Sequence, residues 1–286
     1  GHAVTGISFE GSQTDAGSSP VKPSNATVTG TTNPDYYYVI YRTGTLTVTR
    51  AIVTVMVHGE TKTKTYDGTP IEAGYTVSIS NNILKKEDIL FSGENETVSQ
   101  THVGTSELAL KGKFSVPQEV GRNIRVIILI SDGYAKVTPA VLRIYSDSDS
   151  KTYDGTPLTA EGCSVEGLVN GETLPALAVG SQTDAGISEN LVELDWENGT
   201  ALQNDYSLEW NTGTLTVEKA TIILTSATDS KVYDGEPLTN DEVTVSGDGF
   251  AEGEGAAYEV TGSQTLVGSS KNTFTYTLNE GTNPAN

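Results

Sequence analysis

The side chains able to do chemistry here are few, and none is grouped as a catalytic or metal centre requires. The histidines are His2, His58 and His102. No pair has the spacing of metal ligands, and Cys163, the single cysteine, has no histidine cluster around it. No Gly-x-Ser-x-Gly elbow and no phosphate-cradling glycine loop occurs. No nucleophile–base or paired-carboxylate arrangement stands out, so the chain is expected to be no enzyme and to carry no cofactor. Asp147-Ser148-Asp149-Ser150 and Glu252-Gly253-Glu254 are the acidic runs. Hard cations want six or more oxygens, and neither run holds a full set. The expected reading is a solvated loop; weak Ca2+ binding at a joint between repeats is the alternative, with no metal site assigned. Lys64, Lys151 and Lys231 stand at matching positions. Each is expected on the wet face of a strand, an isopeptide bond to an asparagine being the alternative without an identifiable partner. Aromatics able to stack on sugar rings are Tyr37, Tyr41, Trp196 and Trp210. Trp196, beside Asp195, Glu197 and Asn198, is the first to check, and core packing competes for all of them.

The elements that must position these residues are repeats. Lys64-Thr65-Tyr66-Asp67-Gly68-Thr69-Pro70-Ile71 returns as Lys151-Thr152-Tyr153-Asp154-Gly155-Thr156-Pro157-Leu158 and as Lys231-Val232-Tyr233-Asp234-Gly235-Glu236-Pro237-Leu238. The period of roughly 80–87 residues is that of a small domain, too long for a solenoid. Locally the string predicts a strand running into a turn. The β-branched and aromatic residues favour extension, Asp bonds backbone N–H groups two residues on, Gly supplies a positive φ, and Pro ends the ladder. Tyr66, Tyr153 and Tyr233 are expected to anchor this turn to the core. A second string, Gly-Ser-Gln-Thr-Asp-Ala-Gly, stands at 11–17 and 180–186, with variants at 99–104 and 262–265. A third, Thr-Gly-Thr-Leu-Thr-Val, closes at 43–48 and 212–217.

These strings divide the chain into the back part of a repeat at 2–49, whole repeats at 50–138 and 139–218, and a repeat at 219–286 that lacks its closing strand. Joints at Thr49-Arg50-Ala51, Thr138-Pro139-Ala140 and Glu218-Lys219-Ala220 have no Gly/Ser spacer, which predicts stiff connections between independent beads. Alternation such as Tyr206-Ser207-Leu208-Glu209-Trp210 predicts half-buried strands. Tyr36–Tyr41 and, apart from Arg125, Ile124–Ile130 are apolar or aromatic on both faces, as strands central in a sheet or covered on a second side would be. One segment per repeat is a candidate for a short helix or helical turn, at Ile83–Glu87, Leu168–Glu172 and Phe250–Glu254; the first could wind about two turns, whereas the glycines of the other two argue against a helix. The fold class is therefore all-β or β-dominated: tandem small β domains, sandwich-like or β-grasp-like, arranged as an elongated rod.

The Tyr-Asp-Gly, Ser-Gln-Thr and Gly-Thr-Leu-Thr-Val strings, in that order over nearly the whole chain, resemble the YDG or MBG-type repeats of large bacterial cell-surface proteins. The resemblance implies a tandem, β-rich extracellular segment in an adhesin-like protein and brings no catalytic residue with it.

Acidic residues outnumber basic ones 37 to 17, for a formal charge of -20. Nucleic acid and anionic membrane are poor partners for such a surface. One cysteine allows no disulfide within the chain, no run of 18 apolar residues could span a membrane, and no signal peptide or wall-anchor signal is visible, as in an inner piece of a longer protein. The expected function is a structural stalk on the bacterial cell surface, presenting a distal binding domain of the same protein. The alternative is an adhesive module that binds mucin or another host or cell-wall glycan. Residues 219–286 lack what Tyr36–Val48 supplies, and an uncompleted sheet is a template for strand addition.

Overall fold

The computed structural model describes residues 1–30 and 33–286 and is β-dominated: strands joined by loops, with helical structure limited to three-residue 3-10 turns among the described residues. It forms two compact units, Gly1–Thr138 and Pro139–Asn286.

In the second unit, Ala140–Ser146 runs between Cys163–Glu166, antiparallel, and Tyr206–Asn211, parallel. Its alternation sends Ala140, Leu142 and Ile144 inward and leaves Val141 and Arg143 outside. Arg143 there pairs with Glu209 on the neighbouring strand at 2.9 Å. A second sheet places Thr214–Glu218 between Asp149–Thr152, parallel, and Gly186–Glu189, antiparallel. Leu215 and Val217 point from it onto Leu158, Tyr153 and Ala160. A short ladder joins Ala176–Ala178 to Val192–Leu194. Both closing strands run parallel to strands from the start of the repeat, so each needs a long crossover. Most of the repeat is that crossover.

The segment at 168–172 is an ordinary turn, as its glycine suggests, and 83–87 runs into one 3-10 turn, Lys86–Asp88, in place of two helical turns. Gly171, with φ of +73°, shows why the winding stops in the second copy. The 3-10 turns at Val120–Arg122 and Gln203–Asp205 lie elsewhere, just ahead of a closing strand.

Residues 219–286 repeat the opening half of this plan. Ile222–Ser226 pairs with Val243–Gly247, and Ala256–Val260 with Phe274–Leu278. Leu238 and Gln264 form the bridge that Leu158 and Gln182 form earlier.

The first unit follows the same topology. Ala51–Gly59 lies between Ile124–Ser131, parallel, and Tyr75–Ile79, antiparallel. Gly133–Thr138 lies between Gly104–Leu108, antiparallel, and Thr61–Thr65, parallel. Val53, Val55 and Val57 meet Leu108, Leu110, Phe114 and Ile124 in its core, each such side chain stabilising by about 1.5–3 kcal/mol on burial. Tyr75, Phe91 and Phe114 extend that core edge-on and tilted, with centroids 5.1–5.5 Å apart. Residues 1–49 contribute Ser8–Glu10, Gly17–Ser24 and Gly44–Val48 as one sheet, and Ala3–Thr5 with Thr27–Thr29 as another.

Two expectations about doubly apolar stretches change here. Ile124–Ser131 is an edge strand with one covered face; Ile127 and Leu129 are exposed, as are Ile52 and Met56 beside them. The stretch expected as the strand Tyr36–Tyr41 is a 3-10 turn, Pro34–Tyr36, followed by chain in no ladder. In the 139–218 repeat the corresponding strand pairs with Ala140–Ser146, and among the described residues 37–43 are in no ladder.

Candidate functional site at the repeat joints

The Tyr-Asp-Gly string folds the same way three times. Gly68, Gly155 and Gly235 have φ of +76°, +79° and +86°, the left-handed region that only glycine occupies without strain. Asp154 Oδ1 accepts from the Thr156 N–H at 2.9 Å and its hydroxyl at 2.7 Å. Asp67 does the same with Thr69 at 2.9 and 2.8 Å, and Asp234 accepts from the Glu236 N–H at 3.0 Å. This is an Asx turn.

The aligned lysines are not bare wet-face residues. Lys151 Nζ donates to Asp154 Oδ1 at 2.6 Å, to the Thr156 carbonyl at 2.6 Å and to its hydroxyl at 2.7 Å. Lys64 makes the same set with Asp67 and Thr69, and Lys231 sits 2.9 Å from Asp234. The lysine therefore staples its own turn, with an aspartate three residues on as its partner in place of the asparagine an isopeptide needs. Foremost through the lysine hydrogen bond, the Asp67 carboxyl is lowered to about 2, and Asp154 and Asp234 are lowered as well.

The tyrosines fare unequally. The Tyr66 and Tyr153 N–H groups extend the parallel ladders by donating to the Thr138 and Glu218 carbonyls, each at 2.8 Å. Tyr66 is 4% exposed and stacks on His102 with centroids 6.0 Å apart. Tyr153 is half-buried, whereas Tyr233 is 60% exposed. The expected core anchor thus fails in the last copy, for a physical reason: residues 219–286 contain no closing strand to meet it.

Tyr153 also reaches beyond its own repeat. Its hydroxyl donates to Glu254 Oε1 at 2.8 Å, and that bond, with burial, raises the phenol above its usual range. A Cβ on Gly155 would stand 2.9 Å from Ala251 Cβ. Tyr206 makes a matching bond inside its repeat, to Glu172 Oε2 at 2.6 Å, while accepting from the Val169 N–H at 3.1 Å. Burial, followed by that carboxylate, pushes the Tyr206 phenol up to about 12.

The Ser-Gln-Thr-Asp-Ala-Gly string builds the other half of the joint. Gln182 Nε2 donates to the Asp184 carbonyl at 2.7 Å, and Gln13, Gln100 and Gln264 do likewise two residues on. Where the residue two positions on is an aspartate, at 15 and 184, the loop so held presents a carboxylate and the next N–H to the following repeat. In the second unit Asn286 answers: its Oδ1 accepts from the Ala185 N–H at 2.9 Å and its Nδ2 donates to Asp184 Oδ1 at 3.0 Å. In the first unit Asn123 answers identically, with Ala16 at 2.7 Å and Asp15 at 2.7 Å. Two joints thus carry the same two-bond clasp, so repeats within a unit are not independent beads.

A buried asparagine locks the sheets inside the repeat. Asn190 is fully buried; its Nδ2 donates to the Asp147 and Ala160 carbonyls at 3.0 and 2.9 Å, and its N–H donates to Gly213. Asn272 repeats the side-chain pair with Ala227 and Asn240. Sequence reading missed both, although each stands four residues after a glycine that ends its Ser-Gln-Thr loop, Gly186 and Gly268.

The carbohydrate candidates do not converge. Trp196 is half-buried in a turn where Asp195 Oδ1 accepts from the Glu197 and Asn198 N–H groups. Tyr37 and Tyr41 are nearly half exposed; the Tyr37 hydroxyl bonds His2, and the Tyr41 hydroxyl accepts from the Ala26 N–H. Trp210, expected inward, is exposed at its strand's end. Of the acidic runs, Asp149 opens a strand and Glu254 receives Tyr153. Among the described residues, no three His, Cys, Asp or Glu side chains gather as metal ligands would, and no helix is long and apolar enough to cross a membrane. Comparison with family models, curated proteins and solved structures finds no match, which leaves the chain's own repeats as the basis for comparison.

Proposed function

We propose that this chain is a structural spacer, a tandem-repeat stalk of a bacterial cell-surface protein that holds a binding domain of the same protein away from the wall. The observation that carries the reading is the recurrence of one joint chemistry, Asp-Ala clasped by Asn, at the first and third joints. A spacer needs joints that resist bending, and short ties recurring at two joints without a Gly/Ser linker serve that end. An acidic, disulfide-free surface keeps such a segment soluble. Small-angle scattering tests it. A compact chain of this length has a radius of gyration near ~19 Å, and repeats set end to end should give roughly twice that. The compact value overturns the proposal.

A second reading, direct adhesion to mucin or another glycan, is favoured by one observation: Tyr36, Tyr37, Tyr38 and Tyr41 are all exposed within one short stretch. A glycan array probed with the whole chain should then show hits that Tyr37→Ala and Tyr41→Ala together abolish. An array without hits removes this reading.

A further inference from the structure

The chain contains two Asn-Gly pairs, Asn170-Gly171 and Asn198-Gly199, and the fold treats them in opposite ways. An asparagine before a glycine can close a five-membered ring, because no Cβ hinders the glycine nitrogen as it approaches the amide carbon. Asn170 and Gly171 form the centre of a tight turn, with φ of +53° and +73°, and both are exposed. One backbone hydrogen bond closes that turn, from the Glu172 N–H to the Val169 carbonyl at 3.0 Å, so opening it is a local event. Among the described residues no hydrogen bond holds the Asn170 amide, and a Cβ on Gly171 would meet nothing within 4 Å. Asn198 is tied down instead. Its Nδ2 donates to Asp195 Oδ2 at 2.7 Å and its N–H to Asp195 Oδ1 at 3.1 Å, while a Cβ on Gly199 would stand 2.6 Å from the Thr173 carbonyl oxygen. The Asp195 carboxylate also opposes the negative charge that gathers on an amide oxygen under attack. The Asp-Gly pairs of the recurring turn could close the same ring only by expelling a carboxyl oxygen, and Lys64, Lys151 and Lys231 hold those carboxylates ionised.

We propose that Asn170 is a site of spontaneous deamidation, and that the isoaspartate formed there releases the clamp on Tyr206. The Gly171 nitrogen gives its proton to water and bonds Asn170 Cγ; the side-chain amide leaves as ammonia, and a cyclic imide remains. One water then opens the ring. Breaking the bond from nitrogen to Cγ leaves an ordinary aspartate, whereas breaking the bond to the backbone carbonyl carbon leaves the main chain running through Cγ. Water is the only reactant, nothing is oxidised or reduced, and an amide becomes a carboxylate.

The turn stands where this change has a consequence. The Val169 N–H donates to the Tyr206 hydroxyl at 3.1 Å, and that hydroxyl donates to Glu172 Oε2 at 2.6 Å. The residues on either side of Asn170-Gly171 thus jointly hold the first residue of the strand Tyr206–Asn211. An isoaspartate adds a methylene to the main chain between them, and a carboxylate close to Glu172 whose like charge repels it. Val169 and Glu172 then no longer both reach Tyr206, which is 6% exposed in the intact repeat. The matching segments 83–87 and 250–254 contain no asparagine, so the change is confined to one repeat. This inference does not rest on the stalk reading.

Ageing the whole chain at mildly alkaline pH, followed by peptide mapping with mass spectrometry and isoaspartate-specific methylation, tests it. The peptide spanning 170 should convert at least ~tenfold faster than the peptide spanning 198, at a rate that rises with hydroxide concentration. Asn170→Gly, which accepts the positive φ and has no amide, should gain no isoaspartate there. The isoaspartate form, separated by anion exchange, should show faster hydrogen exchange at Val169 and over Tyr206–Asn211. Freshly prepared Asn170→Asp, with the new charge but without the extra methylene, should stay close to wild type. A peptide at 170 that does not convert, or converts no faster than that at 198, overturns the proposal. So does isoaspartate at 170 with exchange at Val169 unchanged or matched by Asn170→Asp.

Discussion

Replacing Gly155 with alanine probes whether neighbouring repeats share their stability, and Gly235→Ala is its internal control. Both glycines have the same turn and nearly the same φ, +79° and +86°. An alanine held in that region costs about 1 kcal/mol at either site. The surroundings differ. A Cβ at Gly235 meets nothing within 4 Å, whereas at Gly155 it stands 2.9 Å from Ala251 Cβ, in the next repeat. Carbon atoms rest about 3.5–4.0 Å apart, so turn and loop must separate, at about 1–3 kcal/mol for an overpacked contact. Gly155→Ala should therefore lose about 2–4 kcal/mol in total and Gly235→Ala about 1. Hydrogen exchange read by mass spectrometry in rising urea resolves the repeats separately. With Gly155→Ala, protection should fall at 250–254 as well as around 151–158. Equal losses for the two variants, or a Gly155→Ala loss confined to 139–218, would refute the shared joint.

Two further expectations concern the clasp and the turn. Asn123→Ala removes both bonds to Asp15 and Ala16; at about 0.5–1.5 kcal/mol each, exchange of the amides at 15–17 should quicken while 139–286 is unchanged, and unchanged exchange at 15–17 would count against the clasp. The lowered carboxyls of Asp67, Asp154 and Asp234 contribute stability that is present above the ordinary aspartate range near 3.9 and disappears as pH falls through their folded values, about 2 for Asp67. Urea midpoints should drop between pH 4 and pH 2, and Lys64→Met with Lys151→Met should flatten that drop, since each lysine is the main cause of its neighbour's shift; equal slopes would show that the staples do not titrate as described.

The recurring turn was legible because its residues act on one another locally. Asp154, Gly155 and Thr156 determine an Asx turn within three positions, and the same types at 67–69 and 234–236 do it again. The lysine staple was also local, but Lys151 precedes Asp154 by three residues within a strand-to-turn reversal, and an extended-strand rule sends it to solvent. The clasp was not legible. Asp15 and Asn123 lie 108 residues apart, and only the fold brings the loop held by Gln13 to the turn before Ile124. What could be read was the fixed offset of Gln13, Gln182 and Gln264, whose purpose is to shape that loop.

Periodicity identified the strands more reliably than what covers them. Ala140-Val141-Leu142-Arg143-Ile144 and Ile124-Arg125-Val126-Ile127-Ile128 both alternate in burial, and each sets one arginine on its wet face, Arg143 meeting Glu209 and Arg125 lying beside Ile52. In the 50–138 repeat the matching cross-strand pair is Thr54 with Ile127, beside exposed Met56 and Leu129. An apolar residue on the outer face of a strand reads like a core residue in a one-dimensional pattern, since hydrophobicity carries no record of which side has a neighbour. The Tyr36–Tyr41 stretch is the sharper case. Its composition is that of a doubly covered strand, but strand structure needs a partner's hydrogen bonds as well as suitable side chains, and among the described residues 37–43 pair with no strand. The same side chains that would seal a sheet are thereby left in solvent, opposite in character to the polar outer face of Tyr206–Asn211.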